Sequence, residues 1–169
     1  MQILSSDTNI WLDFNAIGSL SLPFTLSDKY QYIISTDTLS DEILSPPNLA
    51  DSLIKAGLVA VEINEAEFQT SIEFMKYSSL SFYDRLALSI AKQRNIILLT
   101  GDGNLRKAAL KEGIVVHGTL WLLDEVLKAN KVEVKEYARI LRAILSCPSV
   151  RQPKQEIEKR LMMVAASTR

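Results

Sequence analysis

The sequence predicts an α/β fold, a three-layer sandwich in which helices cover both faces of a central, mostly parallel sheet of about five strands. Two observations lead to this prediction. Short apolar runs alternate with longer segments in which apolar residues recur at helical spacing, and the strand-then-helix unit recurs about five times. After the last unit only helical patterns remain, which predicts a C-terminal helical extension.

The strands are predicted where apolar runs of three to five residues are bounded by polar residues. In chain order they are Gln2–Ser5, Tyr32–Ser35, Leu58–Glu62, Ile96–Thr100 and Val115–His117. The helices of the repeated units are predicted at Ile10–Ile17, Asp37–Leu44, Leu49–Ala56, Glu65–Tyr77, Tyr83–Gln93, Leu105–Glu112 and Thr119–Ala129. Two more follow at Val134–Leu145 and Pro153–Ala166, the second opening on a proline that suits a first helical turn.

Composition narrows the class of protein. The chain has 169 residues, of which 47% are hydrophobic, enough for one well-packed core. No apolar run is long enough to cross a bilayer, and the first residues lack the pattern of a secretory signal. Cys147 is the only cysteine, which excludes an internal disulfide. We therefore expect a cytoplasmic protein that does not associate with membranes.

The charges are unevenly distributed along the chain. Residues 1–84 carry 12 acidic and 3 basic side chains, whereas residues 85–169 carry 8 acidic and 16 basic ones. Such a split is compatible with a polyanion-binding surface beside an acidic pocket, with two solvated faces, or with self-association. The charge pattern alone does not choose among these.

Several common catalytic motifs are absent from the sequence. Gly101-Asp102-Gly103 begins like a dinucleotide-binding fingerprint, but Arg106 stands where the third glycine is needed. The chain has no phosphate-binding loop, and His117, its one histidine, has no serine or zinc motif to serve. We interpret His117 as structural, which leaves carboxylates as the candidate catalytic groups.

Two aspartates follow predicted strands. Asp7 comes directly after ILSS, and Asp102 comes after IILLT; each also opens a helix. Ligands of parallel α/β sheets bind at the carboxyl ends of the strands, so both positions are candidate sites, although either aspartate could simply cap its helix. If Asp102 ligates, Asn104 can take over capping, while Gly101 and Gly103 permit a sharp turn and leave room for a phosphate.

Two further acids have apolar neighbours on predicted helices. Glu42 follows the second strand, and Asp84 stands three residues after Ser81, the spacing of a capping box. The remaining acids with distinctive positions are interpreted as surface or capping residues: Asp13, Asp37, Asp41 and Asp124. Asp41 directly precedes Glu42, so of these acids it is the one most easily mistaken for the candidate site residue.

These acids occur in an order that resembles a known family. The series Asp7-Thr8-Asn9, Glu42, Ser81-x-x-Asp84 and LLTGD followed by NLRKAA is similar to that of PIN-domain ribonucleases, most of all the VapC-like toxins of toxin–antitoxin pairs. The likeness covers about residues 2–127, and GIVVHGTLWLLDEVL resembles the closing strand and helix of some members. It implies a PIN-like nuclease domain over residues 1–130 and a helical extension over residues 131–169 that packs on the same domain.

The resemblance implies metal-dependent RNA hydrolysis, and the residues suit that chemistry. Clustered carboxylates repel one another unless they take up protons or bind a hard cation, and oxygen ligands favour Mg²⁺ or Mn²⁺. We expect one or two such ions to activate water against a phosphodiester. Asp7, Asp102 and Asp84 are the expected ligands, with Glu42 a fourth ligand or acting through a bound water.

Neighbouring residues receive supporting roles in this hypothesis. Asn9, Thr100 and Asn104 could orient the carboxylates, although each could equally be a turn or cap residue. Basic side chains beside the acids could contact RNA phosphates or simply be solvated: Arg85, Arg106 and Lys107. By resemblance, the expected partners are an RNA substrate, a second copy of the chain in a homodimer, and a cognate antitoxin protein.

Three alternatives were weighed against a ribonuclease. A catalytically silent module could use the same surfaces to bind RNA or a protein. A receiver-like phosphoacceptor needs paired acids after the first strand and a lysine after the last, whereas the chain has the single Asp7 and ends its last strand in VVHG. A haloacid-dehalogenase-type phosphatase needs Asp-x-Asp, and Asn9 replaces the second aspartate. Only the silent module remains a serious competitor.

Overall fold

The computed structural model, which describes residues 1–168, confirms the predicted three-layer α/β fold. Its strands are β1 (Gln2–Ser6), β2 (Tyr30–Ser35), β3 (Val59–Val61), β4 (Ile97–Leu99) and β5 (Val116–His117). They form one fully parallel sheet in the order β3-β2-β1-β4-β5. The helices are α1 (Thr8–Ala16), α2 (Thr36–Glu42), α3 (Leu49–Ala56), α4 (Glu65–Glu73), α5 (Phe82–Arg94), α6 (Gly103–Lys111), α7 (Thr119–Lys128), α8 (Val134–Ser146) and α9 (Lys154–Ser167).

Helix boundaries differ from the prediction where prolines or tight turns intervene. Helix α2 ends at Glu42 rather than at Leu44, because Pro46 and Pro47 have no N–H to donate to the carbonyls of Glu42 and Ile43, as a longer helix would require. The helix predicted to reach Tyr77 ends at Glu73 and continues as a 3-10 turn at Phe74–Lys76. A second 3-10 turn, Leu22–Leu26, was not predicted, although its proline was the available signal.

Buried side chains form two clusters, one on each face of the sheet. Alternate residues of β4 divide between them: Leu98 packs with α5 and α6, whereas Leu99 packs with α1, α7 and the C-terminal helices. Because both faces are covered, the strands carry apolar residues on both sides, which explains why their sequences read as continuous apolar runs.

The C-terminal helices share the larger of these clusters. Tyr137 and Leu141 of α8 and Ile157 of α9 are buried with Leu4 and other residues of the sheet. The ends of the predicted apolar stripe are more open, since Val134 and Leu145 are 36% and 41% exposed. The C-terminal extension therefore packs against the sheet and contributes residues to the larger cluster. Among residues 1–168, no helix is both long and apolar enough to span a membrane.

The strand order positions the carboxyl ends of β1 and β4 side by side. Ser6 pairs with Leu99, and the backbone N–H of Asp7 donates to the carbonyl of Leu99 at 2.9 Å. The connections run from β1 to one side of the sheet and from β4 to the other, so a crevice opens where they diverge. In open α/β sheets this is the place where ligands bind.

Candidate active site

Asp7 lies at the base of this crevice and is 3% exposed. Its Oδ1 accepts a hydrogen bond from the backbone N–H of Thr8 at 2.8 Å, so it does cap α1. Its Oδ2 accepts from the hydroxyl of Thr100 at 2.9 Å and from the amide of Asn9 at 3.4 Å. The donors hold the carboxylate in one orientation, as predicted for Thr100 and Asn9.

Thr100 links the two strand-end aspartates. Its hydroxyl, which is fully buried, donates to Asp7 and accepts from the backbone N–H of Asp102 at 3.0 Å. One side chain therefore fixes the distance between the end of β1 and the loop after β4. This arrangement explains the threonine at the end of the apolar run LLT.

Glu42 approaches Asp7 through Thr8. As the last residue of α2, Glu42 accepts a hydrogen bond from the Thr8 hydroxyl at 2.5 Å. Its neighbour Asp41 is exposed and instead accepts from the hydroxyl of Tyr83 at 2.8 Å. The structure thus separates the two adjacent acids, and Glu42 is the one that faces Asp7.

Asp84 and Asp102 both cap helices. Asp84 and Ser81 form the predicted capping box at the start of α5, in which Asp84 Oδ2 accepts from the Ser81 backbone N–H at 2.9 Å. Asp102 Oδ1 accepts from the backbone N–H of Leu105 at 2.8 Å. The prediction that Asn104 would cap α6 is therefore wrong; Asn104 is an exposed residue inside the first turn.

The two glycines beside Asp102 do not have the conformation that the sequence suggested. Neither Gly101 nor Gly103 has a positive φ, and Gly103 is the first residue of α6. A Cβ at Gly103 would meet no atom within 4 Å, so no clash within the chain requires glycine there. What remains of the prediction is the open space in front of Gly103.

The acids influence one another electrostatically. Burial, followed by the negative charges of Asp84 and Glu42, raises the pKa of Asp7 from 3.8 to about 7, against the lowering effect of its hydrogen bonds. Burial, with a smaller contribution from Asp102, raises the pKa of Asp84. Asp7 therefore interacts with Asp84 and Glu42, and Asp84 with Asp102, so that each added negative charge among these acids is unfavourable.

The donor set fits a hard divalent cation. Asp7 uses both oxygens for hydrogen bonds, but one oxygen each of Glu42, Asp84 and Asp102 has no hydrogen-bond donor among residues 1–168. In the same described range, no three acidic, histidine or cysteine side chains are close enough to hold one ion as they stand. The chemistry of the site suits Mg²⁺ or Mn²⁺, and ligation requires the side chains to move inward.

The three predicted RNA-contacting residues have different environments. Arg106 donates from its guanidinium to the carbonyl of Thr100 at 3.3 Å and is half-buried, so it supports the loop after β4. Lys107 is exposed on α6. Arg85 is half-buried on α5, and its Nε has no hydrogen-bond partner. All three side chains keep donors for a ligand, since Arg106 uses only one of its five N–H groups.

Two acids interpreted as surface or capping residues are neither. Asp13 is half-buried and accepts from Thr119 at 2.9 Å and from Gln152 at 3.0 Å; burial raises its pKa. Asp124 accepts from Arg160 of α9 at 2.8 Å. The partners of these two acids, which include Tyr137 beside Asp124, lie 13 to 139 residues away in sequence, so no local signal could have found these contacts.

His117 has the structural role predicted for it. Its ring stacks on that of Trp121 with centroids 4.1 Å apart and an angle of 5° between the planes. Burial lowers the pKa of His117, assisted by the positive charge of Arg106. The ring thus packs against an aromatic neighbour in surroundings that disfavour its charged form.

Comparison with known proteins agrees with this geometry. A family model described as the PIN domain matches residues 3–165, extending beyond the segment of about residues 2–127 on which the sequence resemblance rests. Among solved structures, a PilT N-terminus domain protein from the hyperthermophilic archaeon Sulfolobus solfataricus P2 is similar with a TM-score of 0.56. The two are 19% identical, and the alignment covers 75% of this chain and 94% of that one, which shows a shared fold. No curated protein matches the chain.

Proposed function

The chain belongs to the PIN-domain family, whose members are generally metal-dependent nucleases, and on that premise we propose that it is a ribonuclease. It hydrolyses RNA phosphodiester bonds with Mg²⁺ or Mn²⁺ held by Asp7, Glu42, Asp84 and Asp102. The order of these acids along the chain supports the assignment to RNA, because it is the order seen in the VapC-like ribonucleases that the sequence resembles.

The burial of Asp7 near two further acids, Asp84 and Glu42, is the observation that most strongly supports a metal site. A carboxyl group whose pKa is raised to about 7 by burial and by Asp84 and Glu42 is half protonated near neutral pH. A divalent cation among the acids offsets both the burial and the repulsion, so binding it releases that proton. The fold keeps this unfavourable arrangement at the carboxyl end of the sheet, which is typical of functional sites.

The protein groups around the acids prepare the site before substrate arrives. Thr100 holds Asp7 and the loop of Asp102 at a fixed separation, and Thr8 restrains Glu42. When bound, the divalent ion supplies positive charge that stabilises the phosphate oxygens and activates water. Gly103 leaves open space beside Asp102 that can admit a phosphate.

An RNA cleavage assay tests this proposal. Purified protein is incubated with RNA in Mg²⁺, Mn²⁺ or EDTA, beside an Asp7→Asn/Asp102→Asn variant and an Asp51→Asn control. Asp51 is an exposed acid in the first turn of α3, so the control removes one negative charge away from the site, against two removed by the double variant. We expect metal-dependent cleavage by the wild type and the control only. Equal cleavage by the double variant would overturn the proposal.

We further propose that the ribonuclease is the toxin of a toxin–antitoxin pair, acting in the cytoplasm as a homodimer that a cognate antitoxin protein inhibits. This proposal rests on the resemblance to VapC-like toxins. Induced expression in a bacterial host should arrest growth, and the double variant should not. Normal growth despite active enzyme would contradict a toxin role, and a monomer mass by light scattering at micromolar concentration would contradict the homodimer.

One observation favours the silent module as a second candidate. Asp7, Asp84 and Asp102 each cap a helix, so they have a structural use without a metal. A silent module would bind RNA or a protein but would show no cleavage above the double variant in either metal. The same assay therefore separates the two functions.

A further inference from the structure

An exposed aromatic side chain begins α5, directly beside Asp84. Phe82, the first residue of the helix, is 39% exposed, and its ring packs edge-on against Tyr83 with centroids 5.4 Å apart. Tyr83 is in turn fixed by its hydrogen bond to Asp41. The Phe82 ring is therefore restrained by its neighbour at the start of α5, two residues before Asp84, while part of its surface remains in solvent.

Arg85 adds an unpaired cationic donor at the same place. Its guanidinium carbon lies 5.8 Å from the centre of the Phe82 ring. Its Nε is buried, yet within residues 1–168 it has no hydrogen-bond partner. The two terminal nitrogens of the guanidinium also lack a hydrogen-bond partner within this range and, unlike Nε, are not buried, so they are the donors that a ligand can reach.

We propose that Phe82 and Arg85 form a nucleotide-binding subsite for single-stranded RNA next to the candidate metal site. An unpaired base stacks on the exposed surface of Phe82, and an adjacent phosphate takes the free donor of Arg85. The inference rests on the proposed function for the identity of the ligand, because it assumes that RNA enters the crevice beside Asp84.

Electrostatics and geometry support this assignment. Four acids repel the RNA backbone, and a fixed cation one residue from Asp84 offsets that repulsion where the strand must pass. Stacking on Phe82 requires a base that is not paired in a duplex, so the substrate is single-stranded RNA.

The first test measures RNA binding without catalysis. Fluorescence anisotropy with a labelled single-stranded 12-nucleotide RNA of mixed sequence, in EDTA, compares wild type with Phe82→Leu. Loss of one stacking contact should weaken binding about 5- to 150-fold. Phe68→Leu is the matched control, because Phe68 is 45% exposed but lies on α4. The residue before it, Glu67, forms an ion pair with Arg94, and Arg94 lies about 18 Å from Phe82 along α5. It should bind like the wild type.

The second variant, Arg85→Met, separates ligand binding from a structural role. It should weaken RNA binding and lower the slope of log Kd against log salt by about 0.7, the effect of one lost phosphate contact. Because Nε has no partner in the protein, the urea midpoint should stay equal or rise. A lower midpoint with unchanged RNA binding would overturn the role of Arg85.

The outcomes keep the two proposals apart. If Phe82→Leu binds as tightly as the wild type, or if duplex RNA binds as tightly as single-stranded RNA, the subsite is overturned whether or not the protein cleaves. If Phe82→Leu weakens binding but the wild type cleaves nothing in either metal, the subsite stands and the ribonuclease proposal fails. Absence of RNA binding by the wild type in EDTA overturns the subsite, whereas only absence of metal-dependent cleavage overturns the ribonuclease proposal.

Discussion

Replacing Asp7 by asparagine should reverse the order of stability between variant and wild type as the pH changes. In the folded protein, burial and the nearby negative charges raise the pKa of Asp7 from 3.8 to about 7. The folded state therefore keeps a proton that the unfolded chain has lost within this pH range. The free energy of unfolding of the wild type falls as pH rises from about 4 to 7 and is level above.

The size of this effect follows from the same pKa. At about 1.4 kcal/mol for each pH unit between 3.8 and about 7, the wild type loses at most about 4 kcal/mol. Asparagine carries no charge at any pH, so it avoids this loss. The amide nitrogen of asparagine cannot accept a hydrogen bond from the Thr100 hydroxyl. This loss lowers the free energy of unfolding of the variant by about 1 kcal/mol at every pH. Asp7→Asn should thus be about 1 kcal/mol less stable at pH 4 and up to about 3 kcal/mol more stable at pH 8.

Urea unfolding in EDTA, followed by tryptophan fluorescence from pH 4 to 8.5, measures this difference. Trp11 is fully buried and donates to the Ser6 hydroxyl at 3.0 Å, so it reports on the region around the site. Titrations of groups that do not interact with Asp7 cancel in the comparison, whereas those of Asp84 and Glu42 are part of the effect. A difference in unfolding free energy that does not change with pH would refute the reasoning.

Three other substitutions test separate parts of the structure. Thr100→Val should cost about 2–3 kcal/mol in urea unfolding, because the buried hydroxyl bonds both Asp7 and a backbone N–H; a loss below about 0.5 kcal/mol would count against this. Glu112, whose pKa is lowered to about 2, chiefly by its hydrogen bond from Lys92, stabilises the protein above pH 4.5, and this contribution disappears as pH falls toward 2. Glu112→Gln should therefore cost about 1 kcal/mol at pH 7 and almost nothing at pH 2; equal costs would contradict it. Tyr137→Phe should cost about 1–2 kcal/mol by removing a 2.6 Å bond between α8 and α7, and an unchanged urea midpoint would refute that link.

Local sequence was enough to predict the strands and the positions of the strand-end acids. Asp7 and Asp102 each follow an apolar run and open a helix, and such patterns depend only on neighbouring residues. Whether they meet depends on strand order, which no local pattern contains. The direct pairing of β1 with β4, and the hydroxyl of Thr100 that links the two loops, are properties of the folded sheet.

The errors have the same physical origin. Asp13 was assigned to the surface because its sequence neighbours gave no sign of Thr119 and Gln152, which approach from 106 and 139 residues away. The prediction passes the capping of α6 from Asp102 to Asn104, on the assumption that one carboxylate does not both cap a helix and bind a metal. The structure uses one oxygen of Asp102 for the helix and leaves the other open to the crevice.

An anomalous difference map from a crystal soaked in Mn²⁺ tests the central claim most directly, since the claim is that four acids hold a divalent ion. We predict a peak bounded by Asp7, Asp84 and Asp102, with Glu42 adjacent, and no such peak in Asp7→Asn/Asp102→Asn crystals. A fully soaked wild-type crystal with no anomalous density at these carboxylates, or with density only at other acids, would contradict the account.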